Sequence, residues 1–153
     1  MIRILLLLLI IFLNLRFINA EGYIKASDGI EWDSLNKIYS AFGNVVFKND
    51  NVEATSSKMI ASYIEENEQE IFTIVEFFEN ISIYFKDEVF KGEYAIYEKD
   101  ENLIKIYGNV SIESPTKLLT GDELIVDLNN NTRTLNSNKK ETVVEVLIEN
   151  ENN

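Results

Sequence analysis

Carboxylates are the side chains of this sequence with the widest scope for chemistry. The chain of 153 residues has 26 Asp and Glu residues against 14 Lys and Arg residues. Paired carboxylates can serve as the acid and base of a glycosidase, and clustered ones can bind calcium. Three groups have suitable spacing: Glu65, Glu66, Glu68 and Glu70; Asp87 and Glu88; Glu98, Asp100 and Glu101. Because such runs more often form solvated turns, we predict no catalytic residue, no metal site and no cofactor.

Other reactive side chains are missing from the sequence. It contains no histidine and no cysteine, which excludes thiolate metal sites, disulfides and nucleophiles that depend on these residues. The formal net charge of −12 repels a phosphate backbone, so nucleic acid is not an expected partner. With 46% hydrophobic residues the chain can still bury a core. We predict one folded domain that is not an enzyme.

Residues 1–20 have the pattern of a targeting segment. Arg3 precedes an apolar run from Ile4 to Leu13, and Ala20 is a small residue at which a signal peptidase could cut. We therefore predict a signal peptide over 1–20, cleaved after Ala20, and an exported domain over 21–153. The alternative is an uncleaved anchor that extends to Ile18.

Asparagine begins a short alternating run three times along the chain. Asn44, Asn80 and Asn109 are each followed by apolar and polar residues in turn, at intervals of roughly 30 residues. Alternation of period two between turn residues predicts strands, so we expect each repeat to fold as strand–turn–strand–turn–strand. Stacked repeats can bury apolar faces that one repeat cannot. This predicts an all-β protein, an open, twisted antiparallel β-jellyroll built from stacked repeats.

One segment could also be read as a helix. In SSKMIASYIEENEQE, at 56–70, Ser56 or Ser57 could cap a helix, and good helix formers follow. The MIASYI part alternates, however, and it occupies the place of a strand in the other repeats. We predict a strand.

Glycine and asparagine at the repeat joints are interpreted as structural residues. Gly43, Asn44, Gly108, Asn109 and Gly121 are expected to supply turns or bulges that end one strand and begin the next. They are not expected to bind a ligand.

Four segments carry a resemblance to a known family. They are IYSAFGNVVF, NVEATSSKMIASY, IKIYGNVSI and LTGDELIVDLNNN. In order and spacing, over roughly residues 24 to 136, the chain resembles the OstA-like domain family of LptA-like periplasmic lipopolysaccharide-transport proteins. The middle repeat departs from the pattern because Glu79 replaces the glycine. A residue other than glycine takes positive φ only at a cost, which argues against a regular turn or bulge there.

The resemblance implies a bridge across the periplasm. Such proteins are β-jellyrolls that hold lipid A acyl chains in an apolar interior. They link an inner-membrane Lpt complex to outer-membrane translocon proteins and associate head to tail through edge strands. Here the terminal segment ETVVEVLIEN, at 141–150, is β-branched and apolar, and GYIKASDGIEW, at 22–32, would form the opposite edge. Exposed edges of this kind pair with other chains.

Apolar positions of the alternating runs are the candidates to line a lipid trough. The alternative is that they form an ordinary dry core. The candidates are Val45, Phe47, Ile81, Ile83, Phe85, Ile104, Ile106, Val110, Ile112, Leu124 and Val126.

Three other functions stay open from the sequence. The first is an anchored, LptC-like partner of the same transport system, with the same fold and an uncleaved N-terminal helix. The second is an exported β-sandwich enzyme that acts on polysaccharide through paired carboxylates. The third is an adhesive or structural repeat protein that forms filaments without binding lipid.

Overall fold

The computed structural model describes residues 22–137 and 145–148. The predicted signal peptide, 1–20, lies outside the described residues, so its cleavage stays a prediction. All regular elements in the described part are β-strands. Within these ranges there is no helix with the length and apolar character needed to cross a membrane.

Ten strands follow one another along the chain. They are β1 (Gly22–Lys25), β2 (Gly29–Asp33), β3 (Ile38–Asn49), β4 (Glu53–Glu66), β5 (Gln69–Phe85), β6 (Glu88–Glu98), β7 (Leu103–Ser114), β8 (Lys117–Asp127), β9 (Thr132–Asn136) and β10 (Glu145–Ile148). They form a single sheet in the order β1-β3-β4-β5-β6-β7-β8-β10, with β2 also on β3 and β9 also on β8. Every pair is antiparallel. The predicted all-β, open antiparallel architecture is confirmed.

The segment 56–70 is strand, as predicted, and not helix. Along β4 the buried residues alternate, first Ala54 and Ser56, and then Met59, Ala61 and Tyr63. The change from even to odd positions coincides with a shift of register between β4 and β5. Here three residues of β5 lie opposite two of β4. The buried side chains of β4 stay on the same face of the sheet on both sides of the shift.

The GNV runs form β-bulges inside strands. Gly43 and Asn44 have φ values of 75° and 41°, and Gly108 and Asn109 have φ values of 79° and 46°. The register shifts at both places, with two residues opposite one. The expected bulges are present, but the expectation that they end one strand and begin the next is wrong. The runs on either side of each bulge form one long strand, because the ladder resumes directly after it.

Gly121 also lies inside a strand, β8, and not at a turn. A Cβ at this position would lie 2.9 Å from the main-chain oxygen of Asn136. Glycine is therefore needed here for the close approach of the end of β9.

The bulge asparagines are held by a common hydrogen bond. Asparagine tolerates the left-handed conformation, and its side-chain amide can donate. Each Nδ2 donates to a side chain of the preceding segment in the sheet: Asn44 to Ser27 Oγ (3.3 Å), Asn80 to Ser57 Oγ (2.9 Å) and Asn109 to Glu93 Oε1. Asparagine thus both adopts the left-handed backbone and donates a stabilising hydrogen bond, which explains why it recurs at all three joints.

The middle repeat forms the same bulge although it lacks the glycine. Glu79 and Asn80 have φ values of 60° and 51°, and the register shifts between Phe78 and Ile81. The replacement of glycine by Glu79 argued against a regular bulge, but a bulge forms here as in the other repeats. The ladders on both sides and the bond from Asn80 to Ser57 outweigh a cost of about 1–2 kcal/mol for a left-handed residue.

Each bulge begins with a residue at positive φ, which is Glu79 in the middle repeat and Gly108 in the last. Substitutions at these two positions should change stability in opposite directions. Glu79→Gly is expected to raise the free energy of unfolding by about 0.5–1 kcal/mol, because glycine avoids the Cβ penalty at positive φ. Gly108→Ala is expected to lower it by about 1–2 kcal/mol, since an added Cβ would also lie 2.7 Å from Glu93 Oε2. Urea denaturation measures both shifts. Changes of the same sign in the two variants would contradict this account of the bulges.

The row of bulges divides the sheet into two halves. We call the part that contains β2 and β9 the A half, and the part that contains β1 and β10 the B half. The apolar faces of the halves lie against each other: the ring of Phe47 in the B half lies 6.0 Å from that of Phe72 and 5.8 Å from that of Phe77 in the A half. The core therefore sits between two halves of one bent sheet.

Candidate functional site

The predicted trough residues lie together in the space between the halves. Ten of the eleven are buried, with at most 4% of their surface exposed, and Phe85 is partly buried against them. The A half supplies Ile104, Ile106, Leu124 and Val126, and the B half supplies the others. Their side chains thus form one apolar interior, and whether this interior holds lipid stays a prediction.

Further residues that sequence reasoning did not name complete the interior. Alternation along β4 and β6 could have identified most of them, but the small and aromatic ones carried no distinct signal. They are Ala41, Val52, Ala54, Met59, Ala61, Val75, Phe77, Phe90, Ala95 and Tyr97.

A series of aromatic rings leads from the surface into this interior. Trp32 in β2 is 59% exposed, and its ring stacks on that of Tyr39 with centroids 6.1 Å apart. Tyr39 contacts Phe72 at 6.0 Å, and the contacts continue through Phe47 to the fully buried Phe77. Rings at these separations interact favourably beyond the area that they bury. The end of the interior next to β2 is therefore lined by aromatic side chains.

Polar groups complete this aromatic end. Trp32 Nε1 donates to the hydroxyl of Tyr63 at 2.7 Å, and the hydroxyl of Tyr39 donates to Glu70 Oε2 at 2.7 Å. Burial and the hydrogen bond to Glu70 raise the pKa of Tyr39 to about 12. Tyr39 therefore stays neutral at physiological pH, and this end of the interior combines apolar rings with tyrosine hydroxyl groups and the carboxylate of Glu70.

Three polar contacts join the free rims of the halves, and the longest runs from Lys86 Nζ to Asn131 Oδ1 at 3.5 Å. Asn51, in the turn between β3 and β4, donates to Asn102, in the turn between β6 and β7, at 3.0 Å. Arg133 in β9 donates through Nε to Glu88 in β6 at 2.8 Å. In each pair one residue belongs to the A half and the other to the B half. We call these three contacts the seam.

Arg133 also covers the apolar interior at the seam. Its guanidinium lies 5.3 Å from the ring centre of Phe85 and 6.0 Å from that of Phe90. Side chains of Arg133 and Glu88 are only 19% and 24% exposed. Phe85, the one trough candidate that is partly exposed, therefore lies directly beneath a side chain of the seam.

The lateral edges of the sheet expose apolar side chains. Of ten large apolar residues exposed in the described ranges, seven lie at these edges. Tyr23, Ile30, Trp32 and Leu35 are at the N-terminal edge, and Val146, Leu147 and Ile148 are at the C-terminal edge. Both edges carry unpaired strand backbone next to these side chains, which is the arrangement that accepts a further strand.

The carboxylates considered for chemistry are dispersed over the surface. Glu98 pairs with Lys105 across two strands, with Oε2 and Nζ 2.9 Å apart. Glu113, which lies outside the groups considered, pairs with Lys91 at 2.7 Å, and this hydrogen bond holds the pKa of Glu113 below its usual value. Over residues 22–137 and 145–148, no three acidic side chains group closely enough to hold a metal ion. These pairs are cross-strand ion pairs of the kind that sheets carry on their outer faces.

Comparisons with known proteins were made for sequence and for fold. A family described as "LptA/(LptD N-terminal domain) LPS transport protein" matches residues 23–132. The crystal structure of LptH, described as the LptA homologous periplasmic component of the lipopolysaccharide transport device from Pseudomonas aeruginosa, matches with a TM-score of 0.70 and 13% sequence identity. The match covers 84% of this chain and 95% of that chain, so the β-jellyroll fold is shared. No curated protein matches this chain in sequence.

Proposed function

Because this chain belongs to the LptA/LptD N-terminal domain family of lipopolysaccharide-transport proteins, we propose that it is a periplasmic carrier of lipopolysaccharide. It shields lipid A acyl chains in the interior between the A and B halves. It receives the lipid from the inner-membrane transporter complex and passes it toward the outer-membrane translocon. The family is one of transport proteins and not of enzymes, so the polysaccharide-active enzyme is not retained as an alternative.

The observation that carries this proposal is the interior itself. Its walls are two halves of one sheet that are joined along the mouth by side chains of the seam, whereas each half is held together by continuous backbone ladders. Removal of an acyl chain from water is favourable by about 0.8 kcal/mol for each methylene. An interior lined by residues such as Ile106, Val110 and Leu124 supplies the apolar surface that this transfer requires.

Head-to-tail contact through the edges supports the bridging part of the proposal. A contact between the N-terminal edge of one copy and the C-terminal edge of the next is heterologous and leaves both outer edges free to continue. The interiors of successive copies would then line up into one apolar path. An anchored, LptC-like partner of the same system stays an alternative, and the mass of the exported protein distinguishes it from a chain cleaved after Ala20.

Photo-crosslinking tests whether the interior holds lipid. A photoreactive phenylalanine analogue at Phe85 is expected to give a lipopolysaccharide adduct, because Phe85 faces the interior beneath Arg133. The same analogue at Tyr84 is the matched control, since Tyr84 precedes Phe85 in β5 and is 44% exposed on the opposite face. Adducts would be detected by electrophoresis of the exported protein with an antibody against lipopolysaccharide.

Two outcomes of this experiment would contradict the carrier. One is a folded protein that gives no adduct at Phe85, which would indicate a closed, dry core. The other is an equal adduct at Tyr84, which would indicate adsorption of lipid on the outer surface.

A further inference from the structure

One buried polar group has no hydrogen-bond partner. Among the side-chain oxygen and nitrogen atoms buried in the described part of the chain, the Tyr97 hydroxyl alone lacks a partner in the protein. Tyr97 is 0% exposed and is the largest of the fully buried side chains. A buried polar group left unsatisfied is unfavourable, and each such group in a native protein calls for an explanation.

The hydroxyl of Tyr97 is directed into the apolar interior. Tyr97 lies in β6 of the A half, and its partners in the ladders on either side are Val75 and Ile104. Both partners are fully buried, as is Ala95, two residues earlier on the same face of β6. The neighbours of Tyr97 on the inner face of the sheet are therefore aliphatic, and a phenylalanine would fill the same space without an unsatisfied oxygen.

Other tyrosines near the interior satisfy their hydroxyl groups. The Tyr39 hydroxyl donates to Glu70, and the Tyr63 hydroxyl accepts from Trp32. On the outer face of β6, the Tyr94 hydroxyl donates to Glu76. The unpaired state of Tyr97 is thus specific to the one tyrosine whose ring lies deep between the two halves.

We propose that the Tyr97 hydroxyl forms a hydrogen bond with an oxygen atom carried by the acyl chain of the bound lipid. The inference rests on the proposed function, because it requires acyl chains between the halves. The ligand class is an amphiphile whose acyl chain bears a hydroxyl group or an acyl ester near the carbonyl end. A plain hydrocarbon chain would leave the Tyr97 oxygen unpaired, whereas an oxygenated chain satisfies it and is fixed in depth along the interior.

Matched amphiphiles test this hydrogen bond. Two single-chain ligands with the same headgroup, one tetradecanoyl and one 3-hydroxytetradecanoyl, would be titrated calorimetrically into the purified protein below their critical micelle concentrations. The wild-type protein is expected to bind the hydroxylated chain about 3- to 10-fold more tightly, the range of one net hydrogen bond. Tyr97→Phe is expected to lose this preference while its thermal midpoint without ligand stays equal or rises.

The control variant is Tyr94→Phe, which removes a hydroxyl from the same strand but on the outer face, and it should keep the preference. Binding of both ligands with equal affinity by the wild-type protein, or an unchanged preference in Tyr97→Phe, would overturn the inference and leave the carrier intact. If the wild-type protein binds neither amphiphile and also gives no adduct at Phe85, the proposed function itself is wrong and the inference with it.

Discussion

Cross-linking the two sides of the seam is expected to lower the loading of lipopolysaccharide by roughly tenfold or more. On the proposed function, lipid enters when the seam opens, and the cross-link would remove that open state. The walls of the interior are backbone ladders, through which an acyl chain cannot pass. At the mouth, by contrast, side chains alone separate the halves. A neutral hydrogen bond such as that of Asn51 with Asn102 contributes about 0.5–1.5 kcal/mol, and the charged contact of Arg133 with Glu88 contributes about 1.5–3 kcal/mol. The seam is therefore the place where the interior opens at least cost.

The chain is well suited to this experiment because it has no native cysteine. Asn51→Cys and Asn102→Cys would be combined and joined with a short bifunctional methanethiosulfonate reagent, which a reductant removes. Loading would be measured as lipopolysaccharide recovered with the protein before cross-linking, after it and after reduction. We expect loss of loading on cross-linking and recovery on reduction.

A cross-link inside one half is the matched control. Lys48 and Glu53 are paired across β3 and β4 of the B half, with Nζ and Oε2 2.7 Å apart, so cysteines at these positions leave the seam free. This variant should load normally after the same treatment. Undiminished loading in the seam variant would mean that lipid enters at the aromatic end beside Trp32, and lateral opening would be excluded.

Charged residues at the C-terminal edge are expected to abolish head-to-tail association. In β10, Val146 and Ile148 are 50% and 65% exposed, and each would contribute about 1.5–3 kcal/mol if it were buried against another copy. Since 1.4 kcal/mol corresponds to a factor of ten in affinity, Val146→Lys with Ile148→Lys should weaken the contact by more than about 100-fold. Lysine on an edge strand also opposes strand pairing directly.

Sedimentation velocity over a range of protein concentrations measures this effect. The control is Ile74→Lys, because Ile74 is 44% exposed but lies in β5, in the middle of the sheet. The control should associate like the wild-type protein, while the edge variant stays monomeric. Equal loss of association in both would indicate a contact through the sheet face and would contradict the edge-to-edge bridge.

Much of the fold could be predicted from the period of apolar residues. In β7 the buried residues keep even positions across the bulge, from Ile106 to Val110. In β4, which lies beside the bulges, they change from even to odd positions before Met59. Strand continuity could not be predicted in the same way. Two successive left-handed residues such as Gly43 and Asn44 are as typical of a turn as of a bulge. The two are distinguished only by whether strand pairing continues on both sides.

The residues that line the candidate site could be predicted from the sequence, but the contacts that join its two halves could not. Alternation alone brings Ile104 and Ile106 to one face. The seam, however, joins pairs of residues that are separated by 51 or 45 positions in the chain. Which turns meet depends on the bend and twist of the whole sheet. Likewise, alternation places Tyr97 inward but cannot show that its hydroxyl has no partner, because that depends on the side chains opposite.

The bulged repeats have a consequence for how the protein folds. Each long strand pairs with its neighbour in the chain, so β3 to β8 form a series of hairpins without a distant crossover. Such local pairing lowers contact order and favours rapid folding, and nearest-neighbour architectures can nucleate at one unit and extend in both directions. Because each repeat carries the same bulge and pairs only with its neighbours, one more hairpin would lengthen the apolar interior without disturbing the existing hairpins. If the chain carries lipid as proposed, the number of repeats would set the distance over which a single copy carries it.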